Sequence, residues 1–229
     1  MTDKGTISLD TQRDIRPYYL RRSHASITRA QALWDSAQPV KGTNAETYLR
    51  AHGIDFCPAE VRYLAYCPIW SGGNQSAHPA MIAAVRDAEG LVAVEQTLLR
   101  SDGLALAEIA QPKRMLGLPV GGLGRWGAVP IKVLQLAETV IEAASAMVIG
   151  THGIPVWPVF GCERYAMIDI PPSIERIIIY TGPEDAAADA IGCAIRHLTE
   201  VGRAVDVIIP PGDPSWNAYL KRIRATAPC

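Results

Sequence analysis

From Lys132 onward the chain alternates short apolar runs with longer helical ones, and this alternation narrows the fold more than any other feature. Strands are expected at about 132–137, 155–160, 176–180 and 204–209, with helices at about 139–149, 186–201 and 215–224. Gly202 stands where the middle helix should end. Apolar strands without polar alternation are buried on both faces, the condition of a parallel sheet covered by helices. Ligands on such sheets gather at the carboxyl ends of the strands. Two segments fall there: Glu138, directly after Leu134-Gln-Leu-Ala137, and the loop Thr181-Gly-Pro-Glu-Asp185, directly after Ile177-Ile-Ile-Tyr180. Carboxylates at neighbouring strand ends make a hard-oxygen set suited to Mg²⁺ or Mn²⁺. Phosphoryl transfer uses such a set to neutralise charge and align the attacking and leaving oxygens. The competing reading makes Glu138 a helix-end charge favoured by the dipole.

The N-terminal half has a different texture. Residues 1–26 are polar, with Arg13, Arg16, Arg21 and Arg22 interleaved with Tyr18 and Tyr19. They read either as a basic arm that touches phosphates or as a tail packed on the body through its tyrosines. A helix is expected from about 27 to 36, with Ala30, Ala32, Leu33 and Trp34 on its apolar side. Thr43-Asn-Ala-Glu46 is a capping box that opens a second helix, which Gly53 ends. Met81–Val85 and Leu91–Leu99 form a hairpin around Asp87-Ala-Glu-Gly90. Pro112 to Pro130 is a glycine-rich connector. The organisation is therefore an arm (1–26), a small α+β subdomain (27–128) and an α/β domain (129–229).

A net charge of −1 over 229 residues gives no global attraction to nucleic acid or membrane, so local patches must supply any. The five cysteines form no CxxC pair, which argues against a zinc ribbon or a disulfide framework and fits a reducing cytosol. No apolar run approaches the roughly 20 residues of a membrane span, so a cytoplasmic location is expected. The five histidines share no ligand spacing, and Gly121-Gly-Leu-Gly124 lacks the strand-to-helix setting of a dinucleotide fingerprint. Ser145 falls inside a helix with no base beside it, and the tryptophans read mainly as packing residues.

Several short motifs, in order, carry a resemblance that covers some 190 residues. They are Gly42-Thr43, Ala45-Glu46 and Tyr48-Leu-Arg50; Pro79-Ala-Met-Ile82; Gln111-Pro-Lys-Arg-Met-Leu-Gly117; Ala137-Glu138 with Ala143, Ser145 and Ala146; Ile170-Pro-Pro172 and Ile177-Ile-Ile179; and Pro211-Gly212 with Trp216-Asn217. Together they resemble the primase-like Toprim (topoisomerase–primase) proteins of plasmids and phages. The resemblance implies a Toprim-like parallel sheet flanked by helices, preceded by a smaller α+β N-terminal subdomain. It also implies DNA replication as the setting, single-stranded DNA as the partner and Mg²⁺ or Mn²⁺ as the cofactor, with a further protein partner in a replication or mobile-element complex. Glu138, Glu184 and Asp185 would be the catalytic and metal-binding residues. Lys113, Arg114 and Arg125 would hold nucleic acid or phosphate, joined by Arg21 and Arg22 of the arm.

The sequence departs from the family's pattern at telling places. The glycine that follows the signature glutamate is Thr139, and the second glutamate is Ile141. The Asp-x-Asp pair falls on Gly182 and Glu184, with Pro183 between them, and the aspartate of the closing motif falls near Asp213 or Ser215. No counterpart of the zinc-binding module at the front of long primases is expected, in agreement with the cysteine spacing. Three readings stay open: an active metal-dependent primase-type nucleotidyltransferase, a Toprim fold that binds without catalysis as an accessory or inhibitory protein, and a metal-dependent nuclease.

Overall fold

The computed structural model describes residues 16–71, 74–128, 130–150, 154–183 and 185–226. The N-terminal part contains α1 (Arg16–Ser36), β1 (Gln38–Pro39), α2 (Asn44–Ala51), β2 (Val61–Ser71), β3 (Asn74–Arg86), β4 (Leu91–Leu98) and β5 (Lys113–Gly117). Its strands form one antiparallel sheet in the order β1-β2-β3-β4-β5. The C-terminal part contains β6 (Val133–Ala137), α3 (Val140–Ile149), β7 (Val156–Pro158), a 3-10 turn (Cys162–Ala166), β8 (Arg176–Tyr180), α4 (Asp185–Glu200), β9 (Ala204–Ile208) and α5 (Trp216–Thr226). Its strands are parallel throughout, in the order β7-β6-β8-β9. The expected architecture, a helix-flanked parallel sheet preceded by a smaller α+β part, is the one observed.

The order of the parallel strands fixes where the helices lie. The chain leaves β6 toward β7 on one side and leaves β8 toward β9 on the other. Right-handed crossovers in opposite directions put α3 and α4 on opposite faces, and α5 packs beside α3. Thr139 caps α3 by accepting the Glu142 N–H at 3.2 Å, and a positive φ at Gly202 closes off α4 as expected.

Three elements differ from expectation. α1 starts at Arg16, well ahead of the expected 27, so part of the residues assigned to an arm is helical; residues 1–15 lie outside the described residues. β2 is a strand the sequence hides, because Pro68 and a register shift between Leu64 and Cys67 break its alternation. The start of the glycine-rich connector is a strand, β5, paired with β4 so that Lys113 faces Thr97 and Arg114 faces Gln96. In the capping box of α2, Thr43 accepts from Ala45, while Glu46 reaches one residue further back, to the Gly42 N–H at 2.6 Å.

β4 is buried along its whole length. Val94 and Leu98 pack with Ala30 and Trp34 of α1. Ala93 belongs instead to the main core, which runs from Met81 and Ala83 through Leu123 and Trp126 to Leu136 and Ile179. That one core joins both sheets. Polar clamps reinforce it: the buried Arg164 guanidinium donates to the carbonyls of Val159 (2.6 Å), Pro119 (2.7 Å) and Gly122 (2.6 Å). A buried guanidinium is tolerated when its donors are met in this way. Trp157 Nε1 donates to the Trp126 carbonyl at 2.7 Å. Among the described residues no helix is long and apolar enough to cross a membrane.

Candidate nucleic-acid interface

The register of the parallel sheet sets Ala137 beside Tyr180. The residues that follow, Glu138 and Thr181, therefore emerge together at the carboxyl edge. They line a cleft of about 510 Å³ with Lys113 from β5, Tyr48 and His52 from the α2 region, Glu142 from α3, Gly182, and the Pro214-Ser215 entry to α5. The cleft thus lies between the two sheets, and the structure brings Lys113 and Glu138, distant in sequence, to one place. Lys113 also lines a second groove of about 680 Å³ with Arg114, Gln111, Pro112, Leu106 and Met115. The two depressions meet at this lysine.

Nothing in the local sequence marks Glu142 as a site residue. Its carboxylate accepts the backbone N–H groups of Trp216 (2.7 Å) and Asn217 (3.4 Å) at the N-terminus of α5. Ser215 caps the same helix by accepting the Ala218 N–H at 3.2 Å. Burial pushes the Glu142 carboxyl above the usual glutamate range. The two backbone donors and the Ser215 hydroxyl pull it back, and the charge of Glu138 adds to the rise. Asn217 extends the clasp, donating to the His52 carbonyl (2.7 Å) and to Ser145 Oγ (2.9 Å). Ser145 is thereby a buried hydrogen-bond acceptor.

His52 is a satisfied histidine, its Nδ1 2.8 Å from the Tyr48 carbonyl. Burial lowers its pKa against that hydrogen bond, and the charges of Lys221 and Lys113 lower it further. Behind the cleft, burial raises Glu95 on β4 against the opposing pull of Lys113, the Thr97 hydroxyl and Arg164. Burial, followed by the Glu95 charge, pushes the Tyr48 hydroxyl up to about 12. Sequence reasoning misses Glu95 because it sits in a strand that otherwise reads as core.

Of the other expected site residues, Arg114 is half-buried beside the Gln111 carbonyl, 3.3 Å from its Nε. Arg125 is half-buried and lines neither depression, its Nε without a hydrogen-bond partner among the described residues. Arg21 and Arg22 fall in α1, but their side chains lie outside the described residues, as does that of Asp185 at the start of α4. Glu184 lies outside them altogether.

A divalent-metal centre needs several oxygen ligands converging on one point, and three observations bear on whether this edge offers them. Among the described residues no group of three or more His, Cys, Asp or Glu can hold a metal. A Cβ on Gly182 would collide with the Pro214 carbonyl oxygen. Glu142 is committed to α5, and Asp213 of the closing segment pairs with Arg222 at 2.8 Å. Among the described residues, the cleft lining offers two carboxylates, Glu138 and Glu142.

Comparison with known proteins agrees with the fold. A family model described as a domain of unknown function, DUF7146, matches residues 24–126. No curated protein matches. Among solved structures, a DnaG primase catalytic domain bound to single-stranded DNA superposes with a TM-score of 0.59 at 12% identity, covering 88% of this chain and 76% of that one. A DNA primase domain from Pseudomonas aeruginosa gives 0.58 at 11% identity, covering 87% and 77%. The primase fragment of the bacteriophage T7 primase-helicase gives 0.50 at 15% identity, covering 84% and 73%. The chain has the fold of a primase catalytic core.

Proposed function

We propose that this protein is a primase-like Toprim protein that binds single-stranded nucleic acid along the Arg114–Lys113 groove and into the cleft at Glu138, without metal-dependent nucleotidyl transfer. It would serve a plasmid or phage replication complex as an accessory or inhibitory component. The observation that carries the reading is that the basic groove and the strand-end cleft join at Lys113. The groove supplies cationic groups for phosphates, while the closed position at Gly182 argues against the metal chemistry. The solved primase domain bound to single-stranded DNA supports the choice of partner.

Fluorescence anisotropy with a labelled oligodeoxynucleotide across a salt series tests the binding. Lys113→Ala should weaken binding and lower the log–log salt slope by about 0.7, the share of one single-strand phosphate contact. An unchanged slope would remove Lys113 from the interface. The competing nucleotidyltransferase reading is favoured by the position of Glu138 at the sheet edge beside Lys113. It predicts primer synthesis with nucleotides and Mn²⁺ that Glu138→Ala abolishes, and that result would restore Glu138, Glu184 and Asp185 as a catalytic metal set.

A further inference from the structure

One wall of the cleft continues into a seam where α5 packs against the end of α2. Asn217 and His52 both line the cleft, and the Asn217 amide donates to the His52 carbonyl at 2.7 Å. One residue on, a Cβ added to Gly53 would stand 3.5 Å from both Leu220 Cδ2 and Arg224 Cδ. Asn217, Leu220 and Arg224 follow the i, i+3, i+7 spacing of one helix face. Lys221 is the i+4 member of that face, one turn beyond Asn217. Its side chain is exposed, so the seam presents an ammonium group to solvent next to the cleft.

The neighbouring cations are engaged and Lys221 is not. Arg222 pairs with Asp213 at 2.8 Å, Arg224 with Asp55 at 2.9 Å, and Arg50 of α2 with Glu46 at 2.8 Å. Lys221 makes no ion pair among the described residues, and neither does Lys113. The two meet in their effect on His52: Lys221 and Lys113 are the charges that bear on its imidazole, and both disfavour a proton there. A positive potential that repels a proton attracts a phosphate by the same law. Burial is the larger cause that holds the ring below the usual histidine range, so at neutral pH the imidazole adds little charge of its own. A phosphate lying over it must be met by the flanking lysines.

We infer that Lys221 is a phosphate contact for single-stranded nucleic acid, and that a strand held at Arg114 and Lys113 continues past His52 and across the α2–α5 seam. The inference rests on the binding proposed above and gives that binding a second cationic anchor. Lys113 belongs to the antiparallel sheet and Lys221 to a helix of the parallel-sheet half, so one strand spans both parts of the fold. Sequence reasoning passes over Lys221 because it sits among the alternating charges of an ordinary solvated helix face.

Anisotropy titrations of the full chain with labelled oligothymidylates of graded length, each over a salt series, test the inference. On the longest oligonucleotide Lys221→Ala should lower the log–log salt slope by about 0.7, the share of one single-strand phosphate. Wild-type affinity should climb with length until both lysines are reached, and that of Lys221→Ala should level off at a shorter length. Lys132→Ala is the control. Lys132 precedes β6 at the opposite edge of the parallel sheet, paired with Glu175, and its loss should leave the slope unchanged. Lys221 is exposed and unpaired among the described residues, so the thermal midpoint of Lys221→Ala should match that of the wild type. If Lys113→Ala lowers the slope while Lys221→Ala keeps the wild-type slope and length dependence, this inference alone is overturned. It is overturned equally if Lys132→Ala lowers the slope as much as Lys221→Ala. If neither Lys113→Ala nor Lys221→Ala changes the slope, the binding proposal fails with it.

Discussion

Replacing Glu142 separates two views of the cleft, one in which this carboxylate serves α5 and one in which it is held ready for chemistry. Burial outweighs its hydrogen bonds, so its pKa rises; the charged form is less comfortable here than in water. What the fold needs from the residue is acceptor oxygen at the Trp216 and Asn217 amides. Glu142→Gln keeps an acceptor without the charge, and should fall within about 1 kcal/mol of the wild type. Glu142→Ala leaves the two N–H groups unmet. The 2.7 Å bond to Trp216 is worth about 1 kcal/mol net, the longer one less, and lost packing brings the total to about 2 kcal/mol. At about 2–4 °C per kcal/mol for a chain of this size, the melting midpoint should fall by roughly 4–8 °C. Urea and thermal unfolding of the three proteins at neutral pH make the measurement. If Glu142→Ala is no less stable than Glu142→Gln, the helix-clasp reasoning fails, and Glu142 becomes available for a role in the cleft.

Three other perturbations probe the same geometry. Gly182→Ala drives a Cβ into the Pro214 carbonyl and should cost about 1–3 kcal/mol, as overpacking does; an unchanged urea midpoint would mean the position is open after all. For Glu95 the folded pKa lies above the ordinary value of 4.5, so the native state binds more protons than the unfolded one, and stability falls as pH rises from that value through the raised one. Glu95→Gln should flatten this part of the pH–stability curve, and a slope equal to that of the wild type would contradict the assignment. Cys67 is fully buried, its thiol pushed up to about 11 by burial, whereas Cys57 and Cys193 are exposed. Ellman's reagent at pH 8 should therefore modify Cys57 and Cys193 in the native protein and reach Cys67 only on unfolding; rapid native labelling of Cys67 would refute its burial.

The C-terminal half is legible in the sequence because its strands are short, uniformly apolar and separated by helices, a pattern that few topologies satisfy. That pattern alone places Glu138 at a strand end. The N-terminal half is harder to read, for local reasons. α1 begins in a run of arginines and tyrosines without apolar periodicity, and tertiary contacts further along the helix stabilise what propensity does not announce. β2 carries Pro68 and an irregular register, and β5 opens with two charges and ends on Gly117. The clasp between Glu142 and α5 spans 74 residues, and no local motif reports it. Glu142 stands where a capping-box acid would reach back to Thr139, yet it reaches across to another helix.

The cleft's charge balance bears on what it can hold. A metal-dependent site tolerates several converging carboxylates because bound cations offset them; without the metal, the same acids repel phosphate. Several features limit the negative charge that the described edge presents. The Pro214 carbonyl closes the space beside Gly182, so no larger side chain fits there. Glu142 is engaged by the α5 backbone amides, Asp213 is paired with Arg222, and Lys113 shares the cleft with Glu138. With Lys113 among its lining residues, the described edge offers a phosphate backbone a cation as well as acids, in keeping with the binding proposed above.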